Sequence, residues 1–281
     1  MSSAQQPGVF RRRHLMMVMV LVSSGLALAA AQPTGPFPPQ GSSSSASLAS
    51  LKQDLVIADR ILFDEKFLDT AGHVSVRLAP DRFLMAWRRA PELIVAEDLM
   101  EYDLDGNVAD ARGRPLILER FIHAEIYRAR PDVRAIVHGH TPSLVLFSSS
   151  NIPLRPLFSG AAFIGQSVPA FKNGDAGGGV QSADLGRKLA EAMGTGGAVL
   201  MRGHGVVVAA ASLVALVQRA ISLDTNAQLV ARLLAMGDRE PMYIRPNPAG
   251  GAAIAEGGAG GDNSREWEAY RRRAETLMKR N

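Results

Sequence analysis

Six histidines, at positions 14, 73, 123, 138, 140 and 204, stand out in a chain of 281 residues that has no cysteine. His138 and His140 lie two apart at the end of the apolar run Ala135-Ile136-Val137. On a strand that spacing sends both side chains to one side. Two imidazoles converging at a strand end are a common way to hold a divalent cation, although the same spacing also describes a pair of histidines at a core edge. His204 stands between Gly203 and Gly205, in a short link between two apolar runs. Flanking glycines free the backbone to aim one large ring into a cavity; the alternative is a solvated hairpin tip. Three neutral imidazoles leave an open position on zinc or a similar metal, the requirement for a catalytic rather than a structural site.

Glu119 opens a predicted helix just upstream of the His-x-His strand. A carboxylate there is favoured by the helix dipole alone; close to a metal it also serves as fourth ligand or as general acid/base. His123 is four residues on and shares a helix face with Glu119. It reads as a supporting or packing histidine, because the three others already fill a ligand set. His73 sits at a turn into a strand, and Arg88 and Arg89 follow the next strand. An arginine pair at a cavity suits a carboxylate or phosphate, and a solvated basic turn is the other reading. Without cysteine there is no disulfide scaffold, thiol nucleophile or iron–sulfur cluster. There is no Gly-x-Ser-x-Gly elbow and no Walker loop, and Gly194-Thr195-Gly196-Gly197 precedes a strand where a dinucleotide turn must follow one.

The elements that must position these residues alternate along the chain. A helix is predicted over Leu51–Phe63, strands over Val74–Leu78 and Arg82–Ala86, and a turn with a one-turn helix over Pro91–Leu99. A strand over Glu101–Asp105 enters the turn Asp105-Gly106-Asn107. A helix over Leu118–Arg128 stops before Pro131, and a buried strand covers Ala135–His140. Thr141–Ser148 is helical with Pro142 at an early position, and Ala183–Met193 is helical up to Gly194. Strands at Ala198–Arg202 and Val206–Ala210 flank His204, and Ser212 caps a helix reaching Met236. Ser264–Arg280 is a last helix with Trp267, Tyr270, Ala274 and Leu277 on one side. The mixture favours an α/β sandwich.

With these residues in place, the chain resembles the class II aldolase/adducin family. The matching stretches are Gly72-His73-Val74-Ser75-Val76-Arg77, Glu119-Arg120-Phe121-Ile122-His123, Val137-His138-Gly139-His140 and Met201-Arg202-Gly203-His204-Gly205, in an order and spacing that fit across about residues 51–240. The resemblance implies a three-layer α/β/α sandwich around a mainly antiparallel central sheet, commonly assembled as a homotetramer. It implies that His138, His140 and His204 hold a divalent metal ion, zinc or manganese, and that Glu119 is the catalytic carboxylate. The chemistry implied is carbon–carbon bond cleavage through a metal-stabilised, enolate-like anion. Sugar-phosphate members carry Asn where His73 stands, a Thr-Pro-x-Gly-like turn, and a Ser-Ser pair before the acid. Here those segments read Met85-Ala86-Trp87-Arg88-Arg89-Ala90-Pro91-Glu92 and Leu116-Ile117-Leu118-Glu119. The small residues and hydroxyls that cradle a phosphate are missing. The pattern looks more like the branch of decarboxylases of hydroxylated aromatic or pyridine carboxylates, with His73, Arg88 and Arg89 as candidates for substrate carboxylate contacts. The expected function is a metal-dependent aldolase or decarboxylase acting on a non-phosphorylated small-molecule substrate. A sugar-phosphate aldolase or epimerase of the same fold, or a non-enzymatic adducin-like interaction module, is the alternative.

The formal net charge of +4 and pI near 9.7 invite a nucleic-acid partner, but the distribution removes it. Three arginines and no acid lie in residues 1–31, and six basic residues against three acidic ones lie in 264–281, which leaves the body between them slightly acidic. Residues 1–31 read as a signal peptide: Arg11-Arg12-Arg13, an apolar run from Leu15 to Leu28, then Ala29-Ala30-Ala31. Export to the periplasm is expected, with a twin-arginine-like pattern in Arg12-Arg13. The alternative is an uncleaved membrane anchor, although the run is shorter than a span needs. Residues 32–50 read as a disordered Pro/Ser-rich linker, 51–245 as the catalytic domain, and 246–281 as a Gly-rich linker followed by a basic helix.

Overall fold

Burial on both faces of the central strands sets the architecture, because each face must then be covered. The computed structural model describes residues 45–173, 178–245 and 264–279. Within them the elements run α1 (Ser45–Asp64), β1 (His73–Ala79), β2 (Arg82–Ala86), β3 (Leu99–Asp103), α2 (Arg120–Ala129), β4 (Ala135–Gly139), α3 (Pro142–Ser148), β5 (Ala170–Phe171), α4 (Ala183–Met193), β6 (Ala198–Met201), β7 (Gly205–Ala210), α5 (Leu213–Ala235) and α6 (Ser264–Met278). The strands form one seven-stranded sheet in the order β3-β2-β1-β4-β7-β6-β5. All neighbours are antiparallel except β5 and β6. The expected α/β/α sandwich around a mainly antiparallel sheet is therefore the fold.

Two apolar layers flank the sheet. Val74, Val76, Ala135, Val137, Val206 and Val208 face α1, α3, α5 and α6. Ile136, Val199, Val207 and Ala209 face α2 and α4. The period of two puts His73, Ser75 and Arg77 on the α2 side of β1, and His138 on the same side of β4. In the β1–β4 register His73 lies directly opposite His138.

Several boundaries differ from the sequence reading, for local reasons. α1 begins at Ser45, inside the stretch read as linker. β3 lies at Leu99–Asp103 because pairing with β2 matches Ala86 to Leu99 and Arg82 to Asp103. The stretch Pro91–Leu99 holds two single 3-10 turns, at Pro91–Leu93 and Ala96–Asp98. α2 starts at Arg120, since Glu119 has φ −85 and ψ 16 and stands outside the helix. Thr141, Ser182 and Ser212 each cap a helix by accepting a backbone N–H three residues on. α6 packs Trp267, Tyr270, Ala274 and Met278 against the core, with Met278 in the place expected of Leu277. Its Arg271 pairs with Asp54, and its Arg273 pairs with Asp64 and Glu65, so much of the basic charge of this helix is spent on acids of α1 and the residue after it. The segment read as a signal peptide, most of the linker and the Gly-rich stretch lie outside the described residues. No described helix is long and apolar enough to cross a membrane.

Candidate metal centre

The β4 strand delivers His138 at its end, on the face shared with Ile136. The chain leaves the sheet after Gly139, and the His140 ring turns edge-on to His138 at 4.5 Å between centroids. His204 arrives from the β6–β7 hairpin. Its turn needs Gly203, whose φ of +64 disfavours other residues, and closes with His204 N–H donating to Met201 O at 3.0 Å. Gly205 is required for a different reason than loop freedom: a Cβ there would stand 2.4 Å from Gly139 O. The hairpin tip therefore presses against the end of β4. His138 Nε2 comes within 2.9 Å of His140 Nε2 and 3.2 Å of His204 Nε2.

Opposite nitrogens fix what these atoms are. His138 Nδ1 is 2.9 Å from Val206 O, a carbonyl that can only accept, so Nδ1 carries the proton and Nε2 presents a lone pair. His140 Nδ1 donates in the same way to Asp69 Oδ1 at 3.0 Å. Lone pairs this close repel one another unless a cation lies among them. The donor set, three imidazole nitrogens and one carboxylate, fits a divalent ion of the zinc or manganese kind. Burial lowers the His140 pKa, which favours the neutral ligand form.

Glu119 completes the cluster. Its Oε2 lies 3.4 Å from His138 Nε2 and its Oε1 lies 3.3 Å from His204 Nε2. The ligand atoms of Glu119, His138, His140 and His204 all fall within 4.8 Å of one another. Glu119 occupies the N-cap position of α2 but does not cap it. The carboxylate turns toward the histidines, and Oε1 accepts the Val180 backbone N–H at 3.0 Å. Gly179 permits this approach, since a Cβ there would stand 2.6 Å from Glu119 Oε1. Burial alone would raise the carboxyl, but positive charge placed on the rings beside it would outweigh burial and hold it well below the usual carboxylate range. It is an anion.

His73 and His123 lie outside this ligand cluster and beside it. The His73 ring is 5.2 Å from that of His138, and its Nδ1 is 2.7 Å from His123 Nε2. Burial lowers both pKa values, that of His123 to about 3. Arg89 is engaged within the fold: its Nε donates to Leu93 O at 2.8 Å and pairs with the buried Asp98 at 3.2 Å, beside the Trp87 ring. Arg88 has an exposed side chain. Sequence reasoning missed Asp69, Gly179, Val180, Ser75 and Tyr127. Asp69-Thr70-Ala71-Gly72 does carry a local signal, an Asx turn in which Asp69 Oδ1 accepts from Ala71 and Gly72 N–H. Its pairing with a histidine 71 residues away has none.

A family profile described as the Class II Aldolase and Adducin N-terminal domain matches residues 53–231. A 3,4-dihydroxyphthalate decarboxylase from Arthrobacter keyseri is 31% identical over 203 residues, covering 67% of this chain and 81% of that one. The decarboxylase tropJ from Talaromyces stipitatus is 34% identical over 188 residues, 60% of this chain and 71% of that one. Among solved structures, an L-fuculose 1-phosphate aldolase from Glaciozyma antarctica superposes with a TM-score of 0.66 at 27% identity, covering 87% of this chain and 96% of that one.

Proposed function

We propose that this chain, which belongs to the class II aldolase and adducin family, is a metal-dependent decarboxylase of a non-phosphorylated acid bearing a hydroxyl or keto oxygen beside its carboxylate. The observation that carries the reading is the convergence of three imidazole Nε2 atoms and an anionic carboxylate at the end of the sheet. The two decarboxylase relatives and the missing phosphate-cradling residues favour decarboxylation over cleavage of a sugar phosphate. When bound, the metal supplies a Lewis acid that draws developing negative charge onto the substrate's oxygens.

The remaining work falls to the protein. His138, His140 and His204 hold the ion, and Val206 O and Asp69 fix the rings of His138 and His140. Glu119 enters as an anion and takes the hydroxyl proton of the arriving substrate. As the carbon–carboxylate bond breaks and carbon dioxide leaves, the electron pair stays on carbon, and Glu119 returns the proton there. The Val180 N–H holds one carboxylate oxygen still throughout. The test is turnover of the metal-replete protein against hydroxy-aromatic carboxylates and hydroxy-aldehydes, with carbon dioxide followed directly. Metal-dependent carbon dioxide release supports the reading. Release of an aldehyde from an aldol substrate instead assigns the aldolase activity, and a protein that binds no metal overturns both.

A further inference from the structure

His138 arrives on a strand, but His204 hangs on the turn Arg202-Gly203-His204, and each backbone amide of that turn has an acceptor. Arg202 N–H donates to Phe171 O at 3.0 Å, and His204 N–H donates to Met201 O at 3.0 Å. Both acceptors are carbonyls of the sheet. Gly203 N–H donates instead to a side chain, the Ser148 hydroxyl, at 3.1 Å and from 55 residues away. Ser148 is the last residue of α3 and is buried.

The sense of this bond is fixed by its partners. The Ser148 hydroxyl also lies 2.8 Å from Val145 O, one turn back in α3. A carbonyl can only accept and an amide N–H can only donate. The Ser148 proton therefore points to Val145, and an oxygen lone pair faces Gly203. A serine that bonds back into its own helix does little for that helix, so the useful bond is the one to Gly203. The other end of α3 is fixed as well. Thr141, the residue after His140, caps the helix by accepting Leu144 N–H. Ser143 donates to Asp224 of α5, whose second oxygen accepts from Gln228 at 2.8 Å. Leu144 and Phe147 are buried in the core between these ties. α3 thus begins beside one ligand, His140, and ends on the turn that carries another, His204. Its 7 residues span about 10 Å of rigid helix.

We propose that α3 is a strut that sets the distance between His140 and His204, and that Ser148 is the positioning residue that ties the His204 turn to it. The role rests on the metal-centre reading; the bond itself does not. Ser148 stands outside the ligand set and acts through the Gly203 amide. That glycine supplies the positive φ the turn needs, but a glycine reaches other conformations as readily. The freedom that lets the turn form also lets it swing, and the next residue carries the ligand ring. A tether on the Gly203 N–H removes that swing.

The experiment compares wild type, Ser148→Ala and Val133→Ala. Val133 is fully buried just before β4, at the end of that strand away from His138, so truncating it costs stability without touching the turn. Zinc affinity is read by chelator competition, and ligand geometry by the visible spectrum of the cobalt-loaded protein. Ser148→Ala should bind zinc about tenfold more weakly and shift the cobalt spectrum. Val133→Ala should lower the melting temperature and keep the wild-type zinc affinity and cobalt spectrum. In metal-free wild type the Gly203 amide should exchange more slowly than in a free peptide, and Ser148→Ala should abolish that protection. Unchanged zinc affinity and spectrum in Ser148→Ala overturn the proposal. An equal loss in Val133→Ala also overturns it, by marking the effect as general destabilisation, and an unprotected Gly203 amide in wild type removes the tether. A wild-type protein that binds no zinc overturns the metal centre itself, and the role of the strut with it.

Discussion

Two histidines of the cluster, His138 and His140, are defined as much by the atom behind each ring as by the space in front. Asp69 is the clearest case, because its carboxylate holds His140 Nδ1–H and so leaves the Nε2 lone pair facing the cluster. Replacing such a partner typically costs about 10–100-fold in metal affinity. Asp69→Ala should show that loss in chelator competition, and unchanged affinity would remove Asp69 from the centre. Gly179→Ala probes the carboxylate. The new Cβ would displace Glu119 Oε1, and misplacing a catalytic group by an ångström can cost about 100-fold. Turnover should fall by about that factor while metal content holds. His123 gives a pH signature. Its folded pKa of about 3 lies below the ordinary 6.5, so between those values the unfolded chain holds a proton that the folded one does not. Stability is therefore complete above 6.5 and declines as pH falls, by about 1.4 kcal/mol per unit. Urea midpoints of metal-free protein at pH 7 and pH 5 should differ more for wild type than for His123→Phe.

At the scale of elements, one guanidinium holds α2 in place over β1. Arg77, on the same face as His73 and Ser75, donates to Val133 O, Pro80 O, Tyr127 O and Arg130 O at 2.6 to 2.9 Å. Three of these carbonyls lie in the last turn of α2 and the residues after it, where a cation also meets the negative end of the helix. This tie sets the register that puts His123 against His73 and Glu119 against the ligand rings. Arg77→Met leaves buried carbonyls unpaired, at a cost of about 3 kcal/mol. For a domain of this size the melting temperature should drop by about 6–12 °C, and a drop within error would show that packing alone fixes the helix. The helix periodicity of α2 was legible from sequence, as was its end before Pro131. Its non-helical first residue was not, because the conformation of Glu119 answers to Val180, from a loop 61 residues away.

For the whole molecule, the candidate metal centre joins pieces that share no local sequence. The end of β4, the β6–β7 hairpin, the start of α2, the turn before β1 and the Gly179 loop all meet there. A ligand that binds only the folded chain stabilises it by mass action, about 2.7 kcal/mol at a hundredfold excess over Kd. Zinc or manganese should raise the melting temperature by about 5–11 °C and a chelator should reverse it. The variant His138→Ala should show no such shift, and an equal rise in that variant would place the metal elsewhere. The basic balance of the chain has a structural counterpart as well, since α6 meets the acids of α1 with its arginines and keeps its aromatic side on the core.

The sequence by itself determined the alternating elements, the cap at Ser212, and the histidine and glutamate set, because periodicity, capping and motif spacing are local properties. It also determined the antiparallel sandwich through the resemblance those motifs carry. Only the tertiary structure decided which nitrogen of His138 and of His140 faces the ligand cluster, that Asp69 and Val180 contact that cluster, that Arg89 is tied to Asp98, and that Ser75 and Tyr127 stand behind His73. Most of those facts depend on strand register and helix placement, which bring together residues 48 to 71 positions apart, and no local pattern encodes such a meeting.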